Sequence, residues 1–151
     1  MSASDRLKEL GIELPEVAKP LASYVPAVRS GNLVFTSGQL PTQTGKLAVT
    51  GKVGADVAPG VGETLARICA LNALAAVDSL VGIDAVIQVV KVVGFVASAP
   101  GFNGQPGVVN GASDLLREVF GDRGSHARSA VGVSELPLDA PVEVELVVEV
   151  G

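Results

Sequence analysis

The fold of this chain is decided by the stretch Val86-Ile87-Gln88-Val89-Val90-Lys91-Val92-Val93-Gly94-Phe95-Val96-Ala97. The stretch is rich in β-branched residues, which favour extended backbone in a sheet. Apolar side chains dominate both of its faces, a pattern typical of a central strand that is covered on both sides. We therefore predict a sheet with this strand in its interior and further structure packed against each face.

Three segments with helical features surround this strand. In residues 61–80 the apolar face carries Leu65, Ile68, Cys69, Asn72, Ala75 and Ala76, and in residues 109–120 it carries Ala112, Leu115, Leu116, Val119 and Phe120. These positions recur at intervals of three and four residues, as the buried stripe of a helix requires. A shorter helix is predicted at residues 4–10, with Ser4 as its N-cap and Gly11 as its C-terminal stop.

Further strands are predicted at residues 25–28, 33–37, 128–134 and 142–150, with a short additional strand at residues 46–49. The order β-β-β-α-β-α-β-β predicts an α/β sandwich in which two long helices cover one face of a mixed sheet. No remaining element can cover the other face of the central strand. We therefore expect a homo-oligomer whose subunits pack through that face.

The composition excludes several classes of protein. The chain has 151 residues, enough for one domain, and 48% of them are hydrophobic, so intrinsic disorder is excluded. Lys and Arg number 11 against 16 Asp and Glu, the net charge is −5, and the positive side chains are dispersed along the sequence. Without a basic stripe to contact phosphates, stable binding to nucleic acid is disfavoured.

Metal, cofactor and membrane functions are disfavoured as well. Cys69 is the single cysteine and His126 the single histidine, so one chain can form neither a disulfide nor a metal centre with several Cys or His ligands. A phosphate loop and a G-x-G-x-x-G motif are both absent, and no cofactor is expected. Residues 1–10 are polar and charged, unlike a signal peptide, and the longest apolar run is too short for a membrane span. We expect a cytoplasmic protein.

Five side chains are candidates for a special role. Arg128 opens a strand of small and apolar residues, where it is either a charge at the rim or a two-pronged ligand for a carboxylate. Glu143 and Glu145 alternate with apolar residues on the last strand and lie either on a solvated face or on the face that a second subunit covers. His126 is interpreted as a loop residue, because no G-x-S-x-G motif supports a catalytic triad. Cys69, on an apolar helix face, is expected to be buried rather than reactive.

Three sequence motifs follow one another along the chain. The first is Gly31-Asn32-Leu33-Val34-Phe35-Thr36-Ser37-Gly38-Gln39-Leu40-Pro41, the second is Ala127-Arg128-Ser129 with Val131, Val133 and Leu136-Pro137, and the third is Val142-Glu143-Val144-Glu145. They are similar to the GN-(x)-(hydrophobic)-TSGQ(I/L)P, (P)-A-R-S-x-V-x-V-x-x-L-P and I-E-I-E motifs of the Rid (YjgF) family. Val109-Asn110, before the second long helix, also fits. The resemblance covers about residues 22 to 150.

This resemblance implies a chorismate-mutase-like α/β fold and a homotrimer with clefts between its subunits. It implies hydrolysis of 2-aminoacrylate and related enamines and imines to 2-oxo acids and ammonia, so the expected partners are a small carboxylate substrate and further copies of the chain. It also implies roles for individual residues. The carboxylate-binding arginine is Arg128, the cleft tyrosine is Tyr24, the ligand-contacting pair is Ser37 and Gly38, the asparagine before the helix is Asn110, and the glutamate that holds water is Glu143.

Two features depart from the family pattern. The cysteine that is common two residues after the arginine is Ala130 here, which excludes a catalytic thiol at that position. The N-terminal helix within residues 1–20 and the long loop of residues 42–62 resemble a longer subgroup and could reshape the cleft mouth. Two alternatives to a deaminase stay open, a non-catalytic binder or sensor of 2-oxo acids and a ribonuclease or translation inhibitor, although the net negative charge disfavours the second.

Overall fold

The structure, a computed structural model, describes residues 1–151 and contains three α-helices and seven strands. In chain order these are α1 (Ala3–Glu9), β1 (Ala27–Ser30), β2 (Leu33–Thr36), β3 (Thr42–Gln43), β4 (Lys46–Leu47), α2 (Pro59–Val81), β5 (Val86–Ala97), α3 (Gln105–Phe120), β6 (Ala127–Val133) and β7 (Val142–Val150). The α/β class predicted from the sequence is confirmed.

Five of the strands form one mixed sheet in the order β1-β2-β7-β5-β6. The pair β5–β6 is parallel, and the other three pairs are antiparallel. The long apolar strand β5 therefore lies inside the sheet, as predicted, and β6 is one of its two edges. The remaining strands, β3 and β4, form a separate two-stranded hairpin within the long loop.

Helices α2 and α3 cover one face of the sheet and form the core with it. Val92 and Val96 of β5 and Val144 and Leu146 of β7 are fully or almost fully buried there. The two helices touch backbone to backbone at Gly111, where a Cβ atom would lie 1.9 Å from the carbonyl oxygen of Glu63. Glycine is therefore required at this position of α3 for the helices to pack this closely.

The opposite face of the sheet carries no element of the chain. Side chains that alternate with the core positions point to this face, and its large apolar members include Val28, Phe35 and Val131, which are 52%, 44% and 43% exposed. Such an apolar surface is typical of a face that another chain covers. We call this surface the open face.

Helix α2 has the length and apolar composition of a membrane span, contrary to the expectation that every apolar run is too short. More than half of its most apolar window is buried inside the domain, where it packs against the sheet and α3. This is the environment of a core helix, so its apolar character is explained by the fold.

Several element ends differ from the prediction for identifiable reasons. Helix α3 begins at Gln105 rather than at residue 109, because Pro106 fits the first helical turn, where its missing N–H costs nothing. Helix α1 is capped by Ser2, whose hydroxyl accepts from the N–H of Asp5. The predicted cap, Ser4, instead donates its N–H and hydroxyl to the carboxylate of Asp84 at 2.8 and 2.6 Å.

Candidate functional site

Four of the six predicted site residues lie around one cleft. Tyr24, Ser37, Gly38 and Glu143 line an open cleft of about 330 Å³ together with Leu21, Leu40 and Pro137. We call the first four residues the glutamate half-site. They come from the N-terminal segment, the end of β2 and the start of β7, so the cleft depends on the pairing of β2 with β7.

Two sets of hydrogen bonds hold this part of the chain in place. Just after β2, the N–H of Gln39 donates to the carbonyl oxygen of Val144 at 2.8 Å, and the N–H of Val144 donates back to Gln39 at 3.0 Å. The buried amide of Asn72, on α2, donates to the carbonyl oxygens of Leu40 and Thr42 at 3.0 and 2.9 Å. These bonds hold Gly38 next to Glu143, the residue that precedes Val144 on β7.

Glu143 lies directly over Gly38. A Cβ atom on Gly38 would lie 2.0 Å from Oε1 of Glu143, so a larger residue at this position would push the carboxylate out of its present place. Burial raises the pKa of Glu143, and the nearby charge of Glu145 raises it further. The carboxylate is therefore a stronger proton acceptor than a fully solvated glutamate.

The other groups of the glutamate half-site differ in which hydrogen-bond donors and acceptors remain free for a ligand. The N–H of Leu21 donates to Oη of Tyr24 at 3.1 Å, which leaves the phenol's own proton free to donate. Ser37 donates its hydroxyl proton to the carbonyl oxygen of Val25 at 2.5 Å, so it can only accept. The N–H of Gly38 donates to no group of the chain.

Arg128 and Asn110 lie together elsewhere, Arg128 on the edge strand β6 and Asn110 within helix α3, not before it as expected from the sequence, because the helix begins at Gln105. Nη1 of Arg128 donates to Oδ1 of Asn110 at 2.8 Å and to Oγ of Ser113 at 3.1 Å, and Nη2 donates to the carbonyl oxygen of Pro106 at 3.4 Å. A guanidinium has five N–H groups, so Nε–H and one N–H of Nη2 have no partner in the chain. We call Arg128 and Asn110 the arginine half-site.

The two half-sites do not meet within one chain. Arg128 donates hydrogen bonds to α3, on the face of the sheet that the helices cover. Ala130, two residues further along β6, points to the same face and packs against the core. Glu143 lies between the buried residues Val142 and Val144 and therefore points towards the open face. The residues that the resemblance assigns to one cleft therefore lie in two separate half-sites of a single chain.

The structure also links Arg128 to Ser113, which the sequence analysis did not name, and to His126, which it did not assign to the site. Ser113, on α3, is buried, and its Oγ lies 2.9 Å from Nε2 of His126. Nδ1 of His126 lies 2.6 Å from the carbonyl oxygen of Gly124. His126, interpreted above as a loop residue, is thus half-buried and linked to Arg128 through Ser113. The one available signal was its position, since it stands where the A-R-S motif has its proline.

Neither a metal cluster nor a reactive thiol is found. No group of three or more His, Cys, Asp or Glu side chains could hold a metal ion. Cys69 is fully buried, and burial, followed by the charge of Glu143, raises the pKa of its thiol well above the usual range. The prediction that Cys69 is buried is confirmed.

Comparison with known proteins identifies the family. Residues 4–150 match the family model described as "YjgF/chorismate mutase-like, putative endoribonuclease". The chain belongs to the YjgF (Rid) family. It is 46% identical to protein TCP17 of Trypanosoma cruzi over 95% of this chain and 91% of that protein. It is 32% identical to a 2-iminobutanoate/2-iminopropanoate deaminase of Dermatophagoides farinae, over 91% and 93% of the two chains.

The fold agrees with that assignment. The crystal structure of protein Atu1372 from Agrobacterium tumefaciens, a protein of unknown function, superposes with a TM-score of 0.91 at 46% identity. The alignment covers 99% of this chain and 92% of that one. The YjgF fold of this chain therefore includes its N-terminal helix and the hairpin of β3 and β4, which lie within the matched length.

Proposed function

We propose that this Rid-family protein hydrolyses reactive enamines and imines such as 2-aminoacrylate to 2-oxo acids and ammonia, in clefts between the subunits of a homotrimer. The observation that carries the proposal is the partly used guanidinium of Arg128. Its Nη1 is saturated by two partners, whereas Nε–H and one N–H of Nη2 remain free. Two such donors on one planar group suit the two oxygens of a substrate carboxylate.

The open face supports a site shared between copies of the chain. The arginine half-site can hold a carboxylate but has no base, whereas the glutamate half-site has a base with a raised pKa but no cation. A neighbouring subunit packed on the open face would bring its Arg128 to the Glu143 of this chain. Cyclic packing of three copies would repeat that contact in three clefts.

The chemistry then requires little of the protein beyond positioning. The enamine 2-aminoacrylate first takes a proton from solvent at its methylene carbon and becomes 2-iminopropanoate in its iminium form (C=NH2⁺), whose C2 is electrophilic. Arg128 fixes the carboxylate and therefore the plane of the imine. Glu143 accepts a proton from a water as the water oxygen bonds to C2, which gives a carbinolamine.

The second half of the reaction returns that proton. Glu143 donates it to the carbinolamine nitrogen, the C–N bond breaks, and ammonia leaves with the bonding electrons. The hydroxyl oxygen loses its proton to solvent as the C=O bond of pyruvate forms, which returns the proton taken up by the enamine, so the sum is one enamine and one water for one 2-oxo acid and one ammonia. The N–H of Gly38 and the phenol proton of Tyr24 have no acceptor within the chain, and we assign them as donors to the oxygen that adds.

A coupled assay tests the proposal. A pyridoxal-phosphate dehydratase forms 2-aminoacrylate from serine, and the rate of pyruvate formation is followed in the first seconds with and without this protein. We expect the protein to accelerate that rate in proportion to its concentration. An unchanged rate from a protein that still binds pyruvate or 2-oxobutanoate would contradict the deaminase and favour the non-catalytic binder.

A ribonuclease gains no support from the structure. The one histidine, His126, is hydrogen-bonded to Ser113 and Gly124, and its surroundings include no second imidazole. A titration of RNA binding against salt separates this alternative, and we expect no binding at moderate ionic strength because the chain carries a charge of −5.

A further inference from the structure

The hydrogen bonds that link Arg128, Ser113, His126 and Gly124 each have one possible direction, because some of these groups can only donate and others can only accept. The guanidinium only donates, so Oγ of Ser113 must accept from Nη1, and its own proton is free to go to Nε2 of His126. The carbonyl of Gly124 only accepts, so Nδ1 of His126 must carry the ring proton. Nε2 is then the lone-pair nitrogen and accepts the hydrogen bond from the hydroxyl of Ser113.

We propose that Ser113 and His126 are positioning residues that hold Arg128 in the orientation in which it binds the substrate carboxylate. The inference rests on the proposed function of Arg128. In this arrangement His126 orients the hydroxyl of Ser113, so that a lone pair points at Nη1. Ser113 and Asn110 together saturate Nη1 and direct the remaining edge of the guanidinium, Nε–H and one N–H of Nη2, away from α3.

The tautomer of His126 gives a test that needs no ligand. Because His126 is the only histidine, the imidazole ¹⁵N signals of the uniformly labelled protein belong to it alone. In the uncharged form of the ring, we expect Nδ1 to carry the proton and Nε2 to be the lone-pair nitrogen. The other tautomer, with the proton on Nε2, would overturn the inference whatever the deaminase assay shows.

Two substitutions of His126 form a matched pair. His126→Gln places an amide oxygen near the position of Nε2, where it can accept from Ser113. His126→Asn places its amide near Nδ1, where it can donate to Gly124 but does not reach Ser113. We expect His126→Gln to keep the KM for 2-aminoacrylate and the affinity for 2-oxobutanoate within about twofold of wild type. His126→Asn should raise that KM and lower that affinity by roughly tenfold, the effect of losing one hydrogen bond of ordinary strength.

A double-mutant cycle separates positioning from a general loss of packing. Ser113→Ala should weaken 2-oxobutanoate binding by roughly tenfold and raise KM more than it lowers kcat, since the substrate is held less well. In a protein that already carries Arg128→Ala, Ser113→Ala should have no further effect on either quantity. Circular dichroism and thermal unfolding confirm that each variant is folded.

The failure of this inference is distinguishable from the failure of the proposed function. If wild type turns over 2-aminoacrylate but Ser113→Ala has an unchanged KM, or its effect adds fully to that of Arg128→Ala, the positioning role is overturned and the deaminase stands. If wild type neither binds 2-oxobutanoate nor turns over 2-aminoacrylate, both the carboxylate role of Arg128 and the inference that rests on it are overturned.

Discussion

At the scale of single residues, Arg128 carries the largest share of the proposed chemistry. Arg128→Ala removes a charge-assisted, two-pronged contact, and we expect a loss of kcat/KM of about 30- to 1,000-fold, or roughly 2–4 kcal/mol. Arg128→Lys keeps the charge but loses the planar pair of donors, so it should also be badly impaired. The measurement is the rate of pyruvate formation from 2-aminoacrylate.

A second arginine provides the control for this prediction. Arg117 is exposed on α3, forms no side-chain hydrogen bond and lies in the last turn of the helix. Arg117→Lys should leave turnover unchanged. Equal losses for Arg117→Lys and Arg128→Lys, or a folded Arg128→Ala protein with wild-type turnover, would refute the assignment of Arg128.

Glu143 makes the reaction sensitive to pH. Only the ionised carboxylate can accept a proton, and burial and Glu145 raise its pKa, so kcat/KM should fall as the pH drops through a value above that of an ordinary glutamate. Glu143→Gln should be slow at every pH, should lack this acid limb and should still bind 2-oxobutanoate. An identical acid limb in Glu143→Gln would show that another group is responsible.

The raised pKa of Glu143 also makes the stability of the fold depend on pH, in the opposite direction to the activity. A carboxyl group that is protonated more readily in the folded than in the unfolded state favours folding at low pH, and this contribution is lost as the pH rises through its folded pKa. Relative to Glu143→Gln, wild type should therefore lose stability as the pH rises towards neutrality, while its activity increases over the same range. Urea unfolding of both proteins at several pH values measures this difference.

At the scale of elements, the contact between α2 and α3 is set by one glycine. In Gly111→Ala the added Cβ would meet the backbone oxygen of Glu63, which cannot rotate away, so the helices must separate. We expect a loss of about 1–3 kcal/mol in the free energy of unfolding, the usual cost of overpacking. Gly107→Ala lies on the same helix with no atom within 4 Å of the new Cβ, and should be neutral or stabilising by up to about 1 kcal/mol.

Chemical denaturation of the two variants decides this prediction. Because Gly111→Ala and Gly107→Ala make the same chemical change in α3, their difference isolates the contact with Glu63 from the intrinsic helix propensity. Two variants of equal stability would mean that α2 and α3 do not approach as closely as the structure has them.

The elements also show which local signals were sufficient to predict the fold. The alternation of Val and Glu in β7 and the apolar stripe of α3 are local patterns, and both elements were predicted from them. The start of α3 was not, because Gly104 and Pro106 are typical both of loops and of a helix's first turn. The link between Ser113 and His126 joins positions 13 residues apart through tertiary packing, and no local pattern predicts such a contact.

At the scale of the whole molecule, we expect further copies of the chain to cover the open face. Val28, Phe35 and Val131 expose apolar surface there, and the proposed cleft needs a second copy to join its two half-sites. We expect light scattering at micromolar concentration to give about three times the chain mass of 15.2 kDa. Val131→Asp should lower that mass, because it would bury a charge in the interface. A wild-type protein of 15.2 kDa would contradict the shared site.

The shared cleft is the central claim, and subunit mixing tests it most directly. Arg128→Ala and Glu143→Gln are each expected to be nearly inactive, and the two proteins are unfolded together and refolded as an equal mixture. If every cleft takes Arg128 from one subunit and Glu143 from its neighbour, about one quarter of the clefts in random trimers have both residues intact, so the mixture should recover about a quarter of wild-type turnover. A mixture no more active than the mean of the two parents would contradict a cleft built from two subunits.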